Sequence, residues 1–113
     1  MATTETSLMN QQLDALLFQE TNLVANLANA SALLNSTYDN LNWAGFYLFN
    51  EQTGELDLGP FQGKVACMHI KVGAGVVGTA FETQTNQRVA DVHQFPGHIA
   101  CDSASNSEIV VPI

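Results

Sequence analysis

Up to Asn42 the chain contains neither proline nor glycine, and at Asn42 its character changes abruptly. Before that point apolar residues recur at helical spacing. Leu8, Met9, Leu13, Leu16 and Leu17 fall three and four residues apart, and after a polar break at Glu20-Thr21-Asn22 the pattern resumes with Leu23, Leu27, Ala30 and Leu34. Two helices are predicted, with Thr21 or Asn22 capping the second by accepting from free first-turn amides. After it comes Trp43-Ala44-Gly45-Phe46-Tyr47-Leu48-Phe49, aromatic and strand-like. A chain built this way must lay helices on a sheet. The order of elements predicts an α+β domain, a mixed or antiparallel sheet with N-terminal helices on one face, formed by residues 1–113 as one unit.

The rest of the chain is punctuated by turns. Asn50 to Gly54 forms a turn between the first strand and Glu55-Leu56-Asp57-Leu58, giving a hairpin. Gly59-Pro60-Phe61-Gln62-Gly63 reads as a second turn, before a third strand from Val65 to Val72 that would carry Cys67. Gly73-Ala74-Gly75-Val76-Val77-Gly78 opens a short helix through Ala80 and Phe81. Arg88 to Ala90 is a brief strand, and Asp91 to Ser105 a long polar loop with a Pro96-Gly97 turn. Glu108 to Ile113 begins another strand, in which the sequence stops.

Charge narrows the partners. The net charge is −8, and the only fixed cations are Lys64, Lys71 and Arg88. Three scattered cations build no basic patch, which argues against nucleic acid and anionic membranes as partners. No apolar run approaches the ~18 residues a membrane span requires, and the N-terminus lacks the basic start and apolar stretch of a secretory signal. A cytoplasmic protein is expected. In that compartment two cysteines are read as free thiols or redox-active residues rather than a structural staple.

Several residues admit both a plain and a chemical reading. Cys67 and Cys101 are either small buried apolar residues or reactive thiols. For Cys101 the surrounding His98-Ile99-Ala100-Cys101-Asp102 is polar and loop-like, where a thiol is reachable and a nearby imidazolium would favour the thiolate. His93, His98 and the cysteines lack the short spacing of a zinc site, so no metal is expected. Gly73-x-Gly75-x-x-Gly78 resembles a dinucleotide fingerprint, but no βαβ unit surrounds it, and a tight strand-to-helix turn explains it more simply. Glu108, alone among apolar neighbours, is either a solvent-facing strand residue or an inward carboxylate able to donate a proton. Trp43 and Tyr47, four apart on a strand, share a face and serve either the core or an aromatic pocket.

A resemblance joins these fragments. Asn42 to Tyr47, Leu58 to Lys64, Ala66-Cys67, Gly78-Thr79-Ala80, Asp91-Val92-His93, the run from Phe95 to Asp102 and the run from Ala104 to Pro112 resemble the free methionine-(R)-sulfoxide reductases. The likeness runs from about Leu16 to the last residue, and the loop ending at Cys101-Asp102 is its most specific part. The resemblance implies a GAF-like fold and cytoplasmic enzymes, often homodimeric, that use neither metal nor organic cofactor. It implies that Cys101 attacks the sulfoxide sulfur and becomes a sulfenic acid. Cys67 then condenses with it to a disulfide that thioredoxin reduces. Trp43 and Tyr47 match residues around the substrate methyl group, and Glu108 matches an active-site carboxylate. Two departures stand out. Val77 occupies the position of the family's frequent third cysteine, and the family's later strands, with two further acidic residues and a closing helix, have no counterpart in the sequence. The chain is therefore expected to be a C-terminally truncated domain. The competing expectation is a non-catalytic GAF-type module that holds a small ligand, or an inactive truncated paralogue.

Overall fold

A computed structural model describes residues 2–97 and 107–113. The elements follow in the order α1 (Ala2–Leu17), α2 (Leu23–Thr37), β1 (Trp43–Asn50), β2 (Glu55–Gly63), β3 (His69–Lys71), α3 (Gly75–Thr83), β4 (Gln87–Val89), a 3₁₀ turn (Val92–Gln94) and β5 (Glu108–Val110). The strands form one three-stranded sheet in the order β1-β2-β3 and one two-stranded sheet, β4-β5. The expected mixture of helices and antiparallel strands is found. The chain divides into two compact units: Met1–Phe46 with Gly59–Lys64, and Tyr47–Leu58 with Val65–Ile113.

In the first unit α1 and α2 pack on each other. The break between them falls at the polar residues that predicted it. Asn22 caps α2, its side chain accepting from the Ala25 amide at 3.1 Å, while the Glu20 carboxylate accepts from the Asn22 amide at 3.0 Å. Thr21 is not the cap. On α2 the fully buried Ser31 hydroxyl has two carbonyls within reach, Leu27 at 2.8 Å and Pro60 of β2 at 3.2 Å. A buried hydroxyl must be satisfied, and this one ties helix to strand. Trp43 stacks on Phe61, with ring centroids 5.4 Å apart and planes inclined by 18°. Gly45 lies beneath that pair, and a Cβ there would run into the Cβ of Phe61.

The second unit is organised around β2-β3 and around α3 with β4 and β5. In β2-β3 the partners are Glu55 with Lys71, Leu56 with Ile70 and Asp57 with His69, antiparallel. Leu56 and Ile70 face inward at 2% and 6% exposure. The buried apolar residues of the α3 region are Val76, Ala80 and Val92. Phe81 of α3 stacks on Phe49 with centroids 4.8 Å apart. The glycine series before α3 forms a strand-to-helix turn. Gly73 and Gly75 adopt φ of +87° and +62°, open to glycine at little cost, and Gly78 sits so close to the Lys71 carbonyl that a Cβ would overlap it.

Two local expectations are corrected. Gly59-Pro60-Phe61-Gln62-Gly63 is not a turn but the second half of β2. The third strand is His69–Lys71 alone, so Cys67 precedes a strand rather than lying in one. The shortness of the third strand has a local cause. The β2-β3 pairing ends with the Leu58 amide donating to the Met68 carbonyl at 2.9 Å. Carried two residues further, the same register would ask Pro60 to donate to Ala66, and proline has no N–H to give. The ladder stops there, while β2 itself continues because proline is compatible with extended backbone.

Candidate functional site

Of the residues singled out in the sequence, three come together in the second unit. Tyr47 begins the part of β1 that belongs to this unit. Its hydroxyl donates to the Cys67 backbone carbonyl at 2.7 Å. Glu108, at the start of β5, lies within electrostatic reach of the Tyr47 phenol. All three side chains are half-buried. β5 is placed by its antiparallel pairing with β4, in which Val89 stands opposite Glu108 and Arg88 opposite Ile109. The alternation along β5 leaves Ile109 64% exposed and Glu108 on the more sheltered side. Glu108 is therefore not the plain solvent-facing member of its strand.

The electrostatics of the cluster follow from this arrangement. Burial, and after it the negative charge of Glu108, raises the Tyr47 phenol above its ordinary value of 10.0. Both effects penalise a phenolate, the first by removing water and the second by like-charge repulsion. Tyr47 is consequently a neutral hydrogen-bond donor throughout the physiological range. Cys67 is disulfide-bonded. The chain's other cysteine, Cys101, lies outside the described residues, as do His98 and Asp102.

Trp43 belongs to the first unit, half-buried in its stack with Phe61. Val77 sits in α3, half-buried next to the buried Val76 and Gly78. Among the described residues no group of three or more His, Cys, Asp or Glu is placed to hold a metal ion. Among the same residues no helix is long and apolar enough to cross a membrane.

Sequence reading missed a second polar cluster in this unit. Asp57 of β2 accepts from the Asn50 amide group at 2.9 Å and pairs with His69 Nδ1 at 2.8 Å. These contacts, Asn50 first and His69 second, hold the Asp57 carboxyl below its ordinary value. Asp57 and His69 are direct cross-strand partners, so the hairpin alternation of β2 together with the β3 register was the signal that would have found them.

Comparison with known proteins places this architecture. No family profile matches the chain. The free methionine-R-sulfoxide reductase of Escherichia coli is 56% identical over 105 residues, a stretch that covers 93% of this chain and 62% of that protein. The chain thus spans less than two thirds of that relative's length. A solved GAF-type protein of Burkholderia vietnamiensis superposes with a TM-score of 0.94 at 53% identity, covering 99% of this chain and 70% of that one. The fRMsr of Staphylococcus aureus, solved in complex with its substrate, is 54% identical with a TM-score of 0.87, covering 95% of this chain and 69% of that one. On this identity and coverage the chain, with its GAF fold, belongs to the free methionine-R-sulfoxide reductase family.

Proposed function

We propose that this chain reduces free methionine-(R)-sulfoxide to methionine. The observation that carries the reading is the 54% identity to the Staphylococcus aureus fRMsr whose solved complex holds its substrate. In this scheme residues 1–113 act as one GAF-type domain. Cys101, as thiolate, attacks the sulfoxide sulfur. The sulfur–oxygen bond of the substrate breaks, Glu108 delivers a proton to the oxygen, and the oxygen ends on Cys101 as a sulfenic acid while methionine departs. The Cys67 thiol then displaces water from that sulfenic acid, giving a Cys67–Cys101 disulfide. A dithiol of the thioredoxin class returns both cysteines to thiols and leaves oxidised itself. No metal or organic cofactor enters these steps.

Trp43 and Tyr47 take the substrate's methyl group on their ring faces. Support for the redox steps comes from the disulfide-bonded state of Cys67, and for the acid role from the half-buried setting of Glu108 beside Tyr47. With Val77 in place of a third cysteine, resolution falls to Cys67 alone. The enzyme works in the cytoplasm as a homodimer, and neither nucleic acid nor membrane is among its partners.

Turnover of the R epimer with a thiol reductant, the S epimer serving as control, tests the proposal. Cys101→Ser is expected to abolish turnover. Cys67→Ser should stall after one equivalent of methionine and leave a trappable sulfenic acid. Glu108→Gln should slow the chemical step by roughly 10²–10⁴-fold. Persisting activity in Cys101→Ser overturns the assignment. A folded wild type that binds the sulfoxide without reducing it replaces the enzyme with a ligand-binding module.

A further inference from the structure

The bond between Tyr47 and Cys67 does something the scheme above does not require. A side chain assigned to a pocket for the substrate needs only its ring. Here the hydroxyl is engaged as well, and its acceptor is the backbone of the residue whose sulfur is oxidised. The stretch from Val65 to Cys67 has no regular secondary structure, and its neighbours Val65 and Met68 are 85% and 71% exposed. The β2-β3 ladder reaches it at the Met68 carbonyl and goes no further. Tyr47 takes hold one residue beyond that point.

We propose that Tyr47 is a positioning residue for Cys67: its hydroxyl, by holding the Cys67 carbonyl, favours the disulfide over the thiol form of that cysteine. The inference rests on the reductase reading only for the partner sulfur, Cys101, and for the biological purpose of the disulfide. Its physical basis is separate. Bonding the carbonyl of an otherwise unladdered segment restricts where the adjacent side chain can reach, and the restriction is the one observed with the sulfur oxidised. A half-buried neutral phenol is well suited to this, because the bond is partly shielded from water and the donor does not ionise at working pH. By reciprocity, whatever the hydroxyl does for the disulfide, the disulfide does for the protonated phenol.

Tyr47→Phe keeps the ring and removes only the donor. Equilibrated in glutathione redox buffers, with the two forms separated by thiol alkylation and mass analysis, the variant is expected to be reduced more readily than wild type. A net hydrogen bond of ordinary strength corresponds to a shift of roughly 2- to 10-fold in that equilibrium. Tyr38→Phe is the control. It removes another phenol hydroxyl, the one 3.0 Å from Thr6 Oγ1 in the first unit, and should leave the equilibrium where it was. An unchanged equilibrium in Tyr47→Phe, or an equal shift in Tyr38→Phe, overturns the proposal.

Should Tyr47→Phe not fold, the Tyr38→Phe protein answers the same question, because Tyr47 is then the only tyrosine left in the chain. Its phenol is expected to ionise at higher pH in the oxidised than in the reduced protein, followed by phenolate absorbance. Identical titrations in the two redox states overturn the proposal. Neither assay contains sulfoxide. A wild type with no reductase activity but a shifted equilibrium in Tyr47→Phe refutes the reductase reading and leaves the tether standing; the converse result does the opposite.

Discussion

Trp43 and Tyr47 stand four residues apart in β1, and the regions around them are held by opposite means. Around Trp43 the means is contact. Its ring lies on Phe61, Gly45 leaves no room for a methyl beneath them, and Ala30 and Ala44 are buried in the same unit. Around Tyr47 the means is polar: a phenol, a backbone carbonyl and a carboxylate, followed by Asn50 at the end of β1, Asp57 of β2 and His69 of β3. Packing of the first kind tolerates no added volume and is indifferent to pH. Polar organisation of the second kind has room for substitution but responds to every change of charge or proton. Chemistry placed in the second region can be tuned without rebuilding the first.

The polar region also rests on an apolar floor. Leu56, 2% exposed beneath the β2-β3 pairs, supplies that floor. Leu56→Ala is expected to cost about 2–5 kcal/mol in denaturant unfolding. Gly45→Ala tests the contact-held region. Its new Cβ would lie 2.8 Å from Phe61 Cα and 2.9 Å from Trp43 Cη2, and such overpacking costs about 1–3 kcal/mol. Unfolding followed by the fluorescence of Trp43, the only tryptophan, reads this loss. The thiol–disulfide equilibrium of Cys67 should stay unchanged in folded Gly45→Ala, and a shift would dissolve the distinction drawn above.

Smaller effects sharpen the polar side. Glu108→Gln removes a negative charge that disfavours the Tyr47 phenolate, so the phenol should ionise at lower pH than in the parent. It should remain above 10.0, because burial is the larger cause. An alkaline absorbance titration in a Tyr38→Phe background measures this, with unaltered Trp43 fluorescence as the companion observation. Smallest is Asp57. Its folded-state carboxyl lies below the ordinary 3.8, so the stability it contributes is present above that pH and is lost as pH falls through the depressed value. The carboxylate is partly exposed, and solvent screening keeps the effect small. Asp57→Asn should flatten the acid limb of the stability profile below about pH 4 while leaving neutral stability little changed.

What the sequence made legible followed from local chemistry. The break at Glu20 to Asn22, the Asn22 cap, the hairpin at Asn50 to Gly54 and the glycine turn into α3 each depend on residues close together in the chain, and each is found. The extension of β2 through Gly59-Pro60 was hidden because those residues favour turns unless partners elsewhere make an extended path better. One such partner is Ser31, twenty-nine positions earlier. The Tyr47 tether was hidden for a different reason. Its acceptor is a main-chain carbonyl, and every residue has one, so no residue type at position 67 announces it. Of the candidate site, Tyr47, Cys67 and Glu108 are seen to cluster, and Trp43 has a stacking partner. Cys101 was singled out by its neighbours in sequence and by resemblance.

Pro60 has a bearing on more than the length of a strand. Because the ladder can hand nothing further along after Leu58, the backbone from Val65 to Cys67 is on a leash rather than in a zipper. Once the Cys67 disulfide is reduced, moving this stretch means letting go of the Tyr47 phenol rather than unfastening a row of sheet bonds in sequence. A residue with an N–H at position 60 would offer the zipper its next tooth at Ala66. The absence of a single hydrogen atom thus keeps the movement of a reduced Cys67 separate from the bonding of the sheet beside it.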